Sequence, residues 1–156
     1  MDRVVRMTYS QLYENVSGLA RAMQEEGIKA GDRVVGFMPN MPETIIAMLA
    51  ATSLGAIWSS CSPDFGTRGA LDRFGQIAPK MLFTANGYSY NGRQFDSLSK
   101  TAEIYEQIPS RPKIVVLPYT QEEPDISSVP NSINLDDFTS PRGESLYLLS
   151  LVLKII

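Results

Sequence analysis

The hydrophobic positions at the start of the chain follow the period of an α-helix. One stripe recurs at i, i+4, i+7, i+8 and i+11; it consists of Leu12, Val16, Leu19, Ala20 and Met23. Thr8 and Gln11 have the spacing of a capping box at the start of this stripe. Gly27 follows the last residue of the stripe, and glycine readily adopts the left-handed backbone conformation that ends a helix. The pattern predicts an amphipathic helix between the cap and the glycine.

Three further helices are predicted along the chain. Residues 44–54 are apolar on all sides, so we expect that helix to be covered on most of its surface. Asn40 and Glu43 offer a second capping box at its start. Two more stripes at helical spacing predict helices over residues 70–78 and 95–105.

Short apolar runs between the helices predict strands at residues 33–38, 56–61, 80–84 and 113–117. We expect the strand at 56–61 to be buried, because it stands between two apolar helices. Strands that alternate with helices indicate an α/β fold, here a partial doubly wound parallel sheet with helices on both faces. After the last strand a polar, proline-rich loop is predicted.

Composition narrows the possible functions. The 156 residues are 44% apolar and 20% charged, which is typical of one globular domain. The net charge of -3 does not favour nucleic-acid binding. Cys61 is the single cysteine, so no internal disulfide can form, as is typical of a cytoplasmic protein. The chain contains no histidine, which excludes Ser-His and Cys-His nucleophile pairs and imidazole metal sites. No apolar run is long enough to span a bilayer.

One candidate binding segment lies between a predicted strand and a predicted helix, in residues 87–93 (Gly-Tyr-Ser-Tyr-Asn-Gly-Arg). We interpret it as a loop whose free N–H groups and following helix dipole would attract an anion, with Arg93 adding a guanidinium. The alternative interpretation is an ordinary surface loop, which the pattern alone favours because glycine-rich turns are common.

Other polar residues are less informative. Ser59, Ser60, Cys61 and Ser62 follow the carboxyl end of a strand, where open α/β sheets bind ligands. Without a basic neighbour, Cys61 is expected to be a small buried hydrophobe rather than a nucleophile. A further edge strand is possible over residues 133–138, and Asp136 and Asp137 would then face opposite sides of it and make a poor acid–base pair.

The amino-acid sequences of several segments resemble those of one enzyme family. The segments begin near Met7 (MTYSQLYENV), Gly31 (GDRVVGFMPNMPE) and Ser53 (SLGAIWSSCSPDFG), and are similar to the acyl-adenylate-forming superfamily. The segments at residues 72–80 (DRFGQIAPK), 90–93 (YNGR) and 129–138 (VPNSINLDDF) resemble the acetoacetyl-CoA synthetases more specifically. The resemblance covers about residues 4–138.

The resemblance implies an AMP-forming ligase that uses ATP and Mg²⁺ to convert acetoacetate into an acyl-adenylate, then passes the acyl group to coenzyme A. In the related acetyl-CoA synthetases an Arg-Gly-Gly-Arg turn contacts coenzyme A. Its place is taken here by Tyr90, Asn91, Gly92 and Arg93, of which the last two match. We therefore expect these four residues to bind the cofactor, with Arg93 on a phosphate.

The family's Ser/Thr/Gly-rich phosphate loop ending in Pro-Lys, its Thr-Gly-Asp and its late adenylation lysine do not occur in these 156 residues. We therefore expect residues 1–138 to be part of an AMP-binding domain, truncated and inactive alone, and residues 139–156 to be a divergent apolar tail. At most coenzyme A would then bind. The alternative function is a non-catalytic module that binds coenzyme A or a nucleotide, or that pairs with a full-length ligase.

Overall fold

The computed structural model describes residues 6–141, and the predicted tail lies almost wholly outside this range. Five helices occur in this part of the chain: α1 (Tyr9–Glu25), α2 (Pro42–Ser53), α3 (Gly66–Phe74), α4 (Leu98–Gln107) and α5 (Leu135–Thr139). The strands are β1 (Arg33–Phe37), β2 (Ile57–Cys61), β3 (Met81–Ala85), β4 (Gly87–Tyr90), β5 (Arg93–Asp96), β6 (Lys113–Leu117) and β7 (Ser132–Asn134). A 3-10 turn, Pro63–Phe65, precedes α3.

Five of these strands form a parallel sheet in the order β2-β1-β3-β6-β7. After β1 the chain adds β2 on one side of it. It then crosses to the other side of β1 to form β3, and adds β6 and β7 successively beyond β3. α2 packs on one face and α3 and α4 pack on the other, as the right-handed rule for such crossovers predicts. The predicted α/β fold, with a doubly wound parallel sheet between two helical layers, is confirmed.

The core divides into two apolar clusters, one on each face of the sheet. One cluster joins α1, α2 and α5 to the sheet through residues such as Val34, Phe83 and Phe138. The other joins α3 and α4 through residues such as Val35 and Leu82. Adjacent residues of one strand enter opposite clusters, as the two-residue period of a strand requires. The central strands are therefore continuously apolar rather than alternating.

The start of α1 agrees with the sequence, whereas the start of α2 does not. Thr8 and Gln11 form the predicted capping box, with the Gln11 amide donating to the Thr8 hydroxyl at 3.2 Å. At α2 the predicted Asn40–Glu43 capping box is wrong, because the helix begins one residue later with Met41 as its N-cap. Most positions of the helix are buried or half-buried, as predicted, although Ile45 is 45% exposed.

The predicted burial of the second strand is wrong. β2 is an edge strand of the sheet, and Ile57 is 55% exposed. Only Cys61 of this strand is buried, because among residues 6–141 no strand pairs with its outer side. A short apolar run can form either an edge strand or a central strand of a sheet, so its composition does not distinguish the two positions.

The end of the described chain also differs from expectation. The polar loop after β6 is present, but the predicted edge strand over residues 133–138 shortens to β7 and is followed by α5. Asp136 and Asp137 therefore lie in the first turn of a helix, where negative charge is favourable, and not on a strand. They are exposed, which agrees with the interpretation that they are not an acid–base pair.

Trp58 crosses from β2 onto β1 at Gly36. A Cβ at Gly36 would lie 2.8 Å from two atoms of the Trp58 ring. The ring is half-buried and its centroid lies 6.3 Å from that of Phe83. Gly36 therefore provides the space that lets the edge strand pack its indole over the sheet.

We predict that Gly36→Ala displaces the Trp58 ring toward solvent. Trp58 is the single tryptophan, so its emission should shift to longer wavelength, and stability should fall by about 1–2 kcal/mol in urea unfolding. Gly18→Ala in α1 is the control, because nothing lies within 4 Å of a Cβ there and alanine favours helix. An unchanged emission maximum in Gly36→Ala would contradict this packing.

Candidate functional site

The four predicted site residues lie together at the tip of a β-hairpin. β4 and β5 pair antiparallel, with Tyr90 opposite Arg93. Asn91 and Gly92 form the turn with φ values of 53° and 74°. Positive φ at both central residues is typical of a type I′ turn, for which Asn-Gly is the preferred sequence. The prediction of an irregular loop was therefore wrong, although its signal was present in the sequence.

The predicted anion site at the following helix is also wrong. α4 begins at Leu98, not at residue 95, and the Asp96 carboxylate accepts hydrogen bonds from the Leu98 amide at 3.1 Å and the Ser99 amide at 2.9 Å. The chain's own carboxylate thus occupies the position that a phosphate would take. Arg93 is separated from this helix start by the length of β5.

The electrostatics of Asp96 fit this capping role. Burial alone would raise the pKa of its carboxyl group. Hydrogen bonds from Ser99 and Leu98, together with the charge of Lys100, outweigh burial and hold that pKa below its usual value. Asp96 is therefore ionised at neutral pH and joins the end of the hairpin to the start of α4.

One face of the hairpin is aromatic and cationic. Tyr88 is opposite Phe95 and Tyr90 is opposite Arg93, so the alternation of each strand puts these four side chains on one face. The Tyr88 and Phe95 rings are stacked with centroids 5.2 Å apart. Tyr90 is 61% exposed and Arg93 is exposed beside it. We call these four residues the hairpin face.

Arg93 is available to a ligand. Among residues 6–141 its guanidinium group makes no hydrogen bond and no ion pair. An exposed guanidinium next to an exposed aromatic ring offers a charged and an apolar contact to the same molecule. This combination fits a phosphorylated compound that also carries a flat ring.

Lys100, which the sequence pattern did not single out, lies beside the hairpin face. Its ammonium group is 5.4 Å from the centroid of the Tyr88 ring and 3.5 Å from the Tyr88 hydroxyl. A cation over a tyrosine ring is attracted to its π electrons. The lysine could not be found from the sequence because its position depends on how α4 packs against the hairpin.

The hairpin occupies the part of the sheet where ligands usually bind. It leaves the carboxyl end of β3, and β3 is next to β1 in the sheet. The strand order reverses direction here, since β1 is followed by β2 on its other side. Open α/β sheets bind ligands in the crevice at such a reversal.

Cys61 at the end of β2 is not part of this site. Its side chain is buried, and burial raises the pKa of the thiol to about 11, although the charge of Arg73 acts in the opposite direction. A thiol with such a pKa carries almost no thiolate at neutral pH. The interpretation of Cys61 as a small buried hydrophobe is confirmed.

The chain is similar to known proteins of one family. The sequence profile of the AMP-binding enzymes matches residues 1–148. The chain belongs to the AMP-binding enzyme family. It is 46% identical over 139 residues to the acetoacetyl-CoA synthetase of Macaca fascicularis and 47% identical over 145 residues to that of Danio rerio. These matches cover 88% and 92% of this chain, but 21% and 22% of the two relatives.

The fold of the chain is also similar to that of a solved structure. The acetoacetyl-CoA synthetase from Streptomyces lividans superposes with a TM-score of 0.79 at 35% identity. The match covers 90% of this AMP-binding family chain and 21% of that protein. The chain therefore spans about a fifth of the length of the synthetases it resembles. None of the helices in residues 6–141 is both long and apolar enough to cross a membrane.

Asn86 holds the base of the hairpin in this family member. Its side-chain oxygen accepts hydrogen bonds from the amides of Tyr119 at 2.7 Å and Thr120 at 3.0 Å, and its amide nitrogen donates to the Thr120 hydroxyl at 2.8 Å. Next to it, a Cβ at Gly87 would lie 2.7 Å from the Phe95 carbonyl oxygen. The direction in which the hairpin leaves the sheet is thus fixed by an amide and a glycine.

We predict that Asn86→Ala destabilises the protein by about 1–3 kcal/mol, because the amides of Tyr119 and Thr120 lose their buried acceptor. Urea unfolding measures the loss. Gln94→Ala is the control, since the exposed side chain of this β5 residue makes no hydrogen bond within residues 6–141 and its loss should cost less than about 0.5 kcal/mol. Equal unfolding midpoints for the two variants would contradict a structural role for Asn86.

Proposed function

We propose that this chain is part of an acetoacetyl-CoA synthetase. The reaction would activate acetoacetate with ATP and Mg²⁺ as an acyl-adenylate and then transfer the acyl group to coenzyme A, in cytoplasmic lipid and fatty acid metabolism. The similarity to several acetoacetyl-CoA synthetases over most of the chain is the observation that supports this proposal.

The chain is further proposed to have no ligase activity by itself. Attack on the α-phosphate of ATP needs positive charge and hydrogen-bond donors arranged around the phosphates. The Ser/Thr/Gly-rich loop ending in Pro-Lys and the late lysine that supply them in this family do not occur in the 156 residues. The scaffold would then be present without the residues that clamp the triphosphate.

A coupled assay for AMP release tests this part of the proposal. With ATP, Mg²⁺, acetoacetate and coenzyme A, we expect the purified 156-residue chain to release AMP no faster than the heat-denatured protein. The acetoacetyl-CoA synthetase from Streptomyces lividans serves as the positive control for the assay. Release of AMP that depends on acetoacetate and exceeds the denatured blank would refute it.

A second candidate function is a non-catalytic module that binds coenzyme A. It is favoured by one observation, the free guanidinium of Arg93 beside the exposed ring of Tyr90 on the hairpin. The guanidinium would bind a phosphate of coenzyme A, and Tyr90 would contact its adenine ring. Asn91 and Gly92 would contribute backbone amides at the turn. This binding needs no contact with ATP.

We predict that the isolated chain binds coenzyme A and that Arg93→Ala weakens binding by about tenfold, through loss of a charge-assisted hydrogen bond. Isothermal titration calorimetry measures both affinities. Gln94→Ala is the matched control on the opposite face of β5 and should bind as wild type does. Unchanged affinity in Arg93→Ala would remove the proposed phosphate contact.

A further inference from the structure

We propose that Lys100 is a second phosphate-binding residue of the hairpin, so that coenzyme A is held between a strand cation and a helix cation. The inference rests on the coenzyme A binding proposed above, but it assigns a residue that lies outside the Tyr90–Arg93 segment. It depends on where α4 places the lysine, on what else the lysine contacts, and on how firmly it is held.

The position of Lys100 extends the hairpin face on the side of β4. The Tyr88 ring has Phe95 as its stacking partner and the Lys100 ammonium group 5.4 Å from its centroid. Arg93 lies on the same face near the turn, two residue pairs beyond Tyr88 and Phe95. The two cations therefore border one aromatic surface. Coenzyme A has a 5′-diphosphate and a 3′-phosphate on one adenosine, so two separated cations can contact different phosphate groups of one ligand.

The charge of Lys100 is not neutralised by a close carboxylate. Among residues 6–141 no Asp or Glu oxygen lies within 4.0 Å of its ammonium nitrogen. Asp96 is near enough to feel the charge, but its oxygens accept hydrogen bonds from the Leu98 and Ser99 amides. The only hydrogen-bond partner of its ammonium group in the described residues is the Tyr88 hydroxyl at 3.5 Å. Donors of the ammonium group remain available to a phosphate.

The helix holds Lys100 in place through its next residue. Thr101 is fully buried, and its hydroxyl oxygen lies 3.0 Å from that of Thr84 on β3. The Thr101 hydroxyl also donates to the Ser97 carbonyl oxygen at 2.8 Å. These contacts fix the rotation of α4 relative to the sheet, and the Lys100 ammonium group lies 5.4 Å from the centroid of the Tyr88 ring. A cation held in this way loses less conformational entropy when a ligand binds.

Calorimetric titration of the full chain with coenzyme A tests the inference. We expect Lys100→Met to weaken binding by about five- to tenfold and to reduce the salt dependence of the affinity, because one fewer cation meets a phosphate. Lys100→Arg should restore most of the affinity, since the positive charge is kept. Lys29→Met is the control: it removes the same charge from an exposed residue before β1, at the amino end of the strands and opposite the hairpin, and should leave affinity unchanged.

The outcomes separate the inference from the function on which it rests. Weaker binding in Lys100→Met with an unchanged urea midpoint, and rescue by arginine, would support the second contact. If Arg93→Ala loses affinity while Lys100→Met does not, the inference is overturned and the single-cation site stands. If arginine fails to rescue, the lysine acts through packing and the inference is also overturned. If wild type does not bind coenzyme A, the proposed binding function falls and the inference falls with it.

Discussion

A parallel sheet is stable only when both of its faces are covered, and this requirement organises the chain. β1, β3 and β6 send adjacent residues into opposite apolar clusters, so neither cluster can be removed without exposing half of each strand. The reversal of chain direction after β2 meets the requirement, since it puts α3 and α4 on the face that α1 and α2 leave open. The same reversal brings the carboxyl ends of β1 and β3 together, so the geometry that completes the core also positions the hairpin.

The hairpin is a polar structure built on this apolar base. Asn86 is 5% exposed and uses both the oxygen and the nitrogen of its side-chain amide to bind the segment after β6, while its backbone oxygen accepts from the Ser97 amide at 3.3 Å. Such a group is costly to bury unless every donor and acceptor is paired. The side chains of the distal pair, Tyr90 and Arg93, are exposed and are not needed to hold the hairpin in place. They therefore remain available to bind a ligand.

Much of the fold could be predicted from the sequence, because the helices have apolar residues at helical spacing and the strands are short apolar runs between them. The capping box at Thr8 and the bounds of β1, β2, β3 and β6 agree with the predictions to within one or two residues. The predictions that failed concern features that depend on contacts between residues far apart in the sequence. Ile57 is as apolar as a core residue, and nothing local shows that β2 lies at an edge. Asn91-Gly92 carries a local signal for a type I′ turn, which the interpretation as a glycine-rich loop leaves out. The role of Lys100 follows from helix packing and has no signature in sequence spacing.

Asp96 belongs to two elements at once, as the last residue of β5 and as the acceptor for the first free amides of α4. Separation of the hairpin strands would pull this carboxylate away from the helix, and unwinding of the first helical turn would release the strand. Local opening of the two elements is thus expected to be one cooperative event. A molecule that binds only the tip of the hairpin would then also reduce local unfolding of α4, although it makes no contact with that helix.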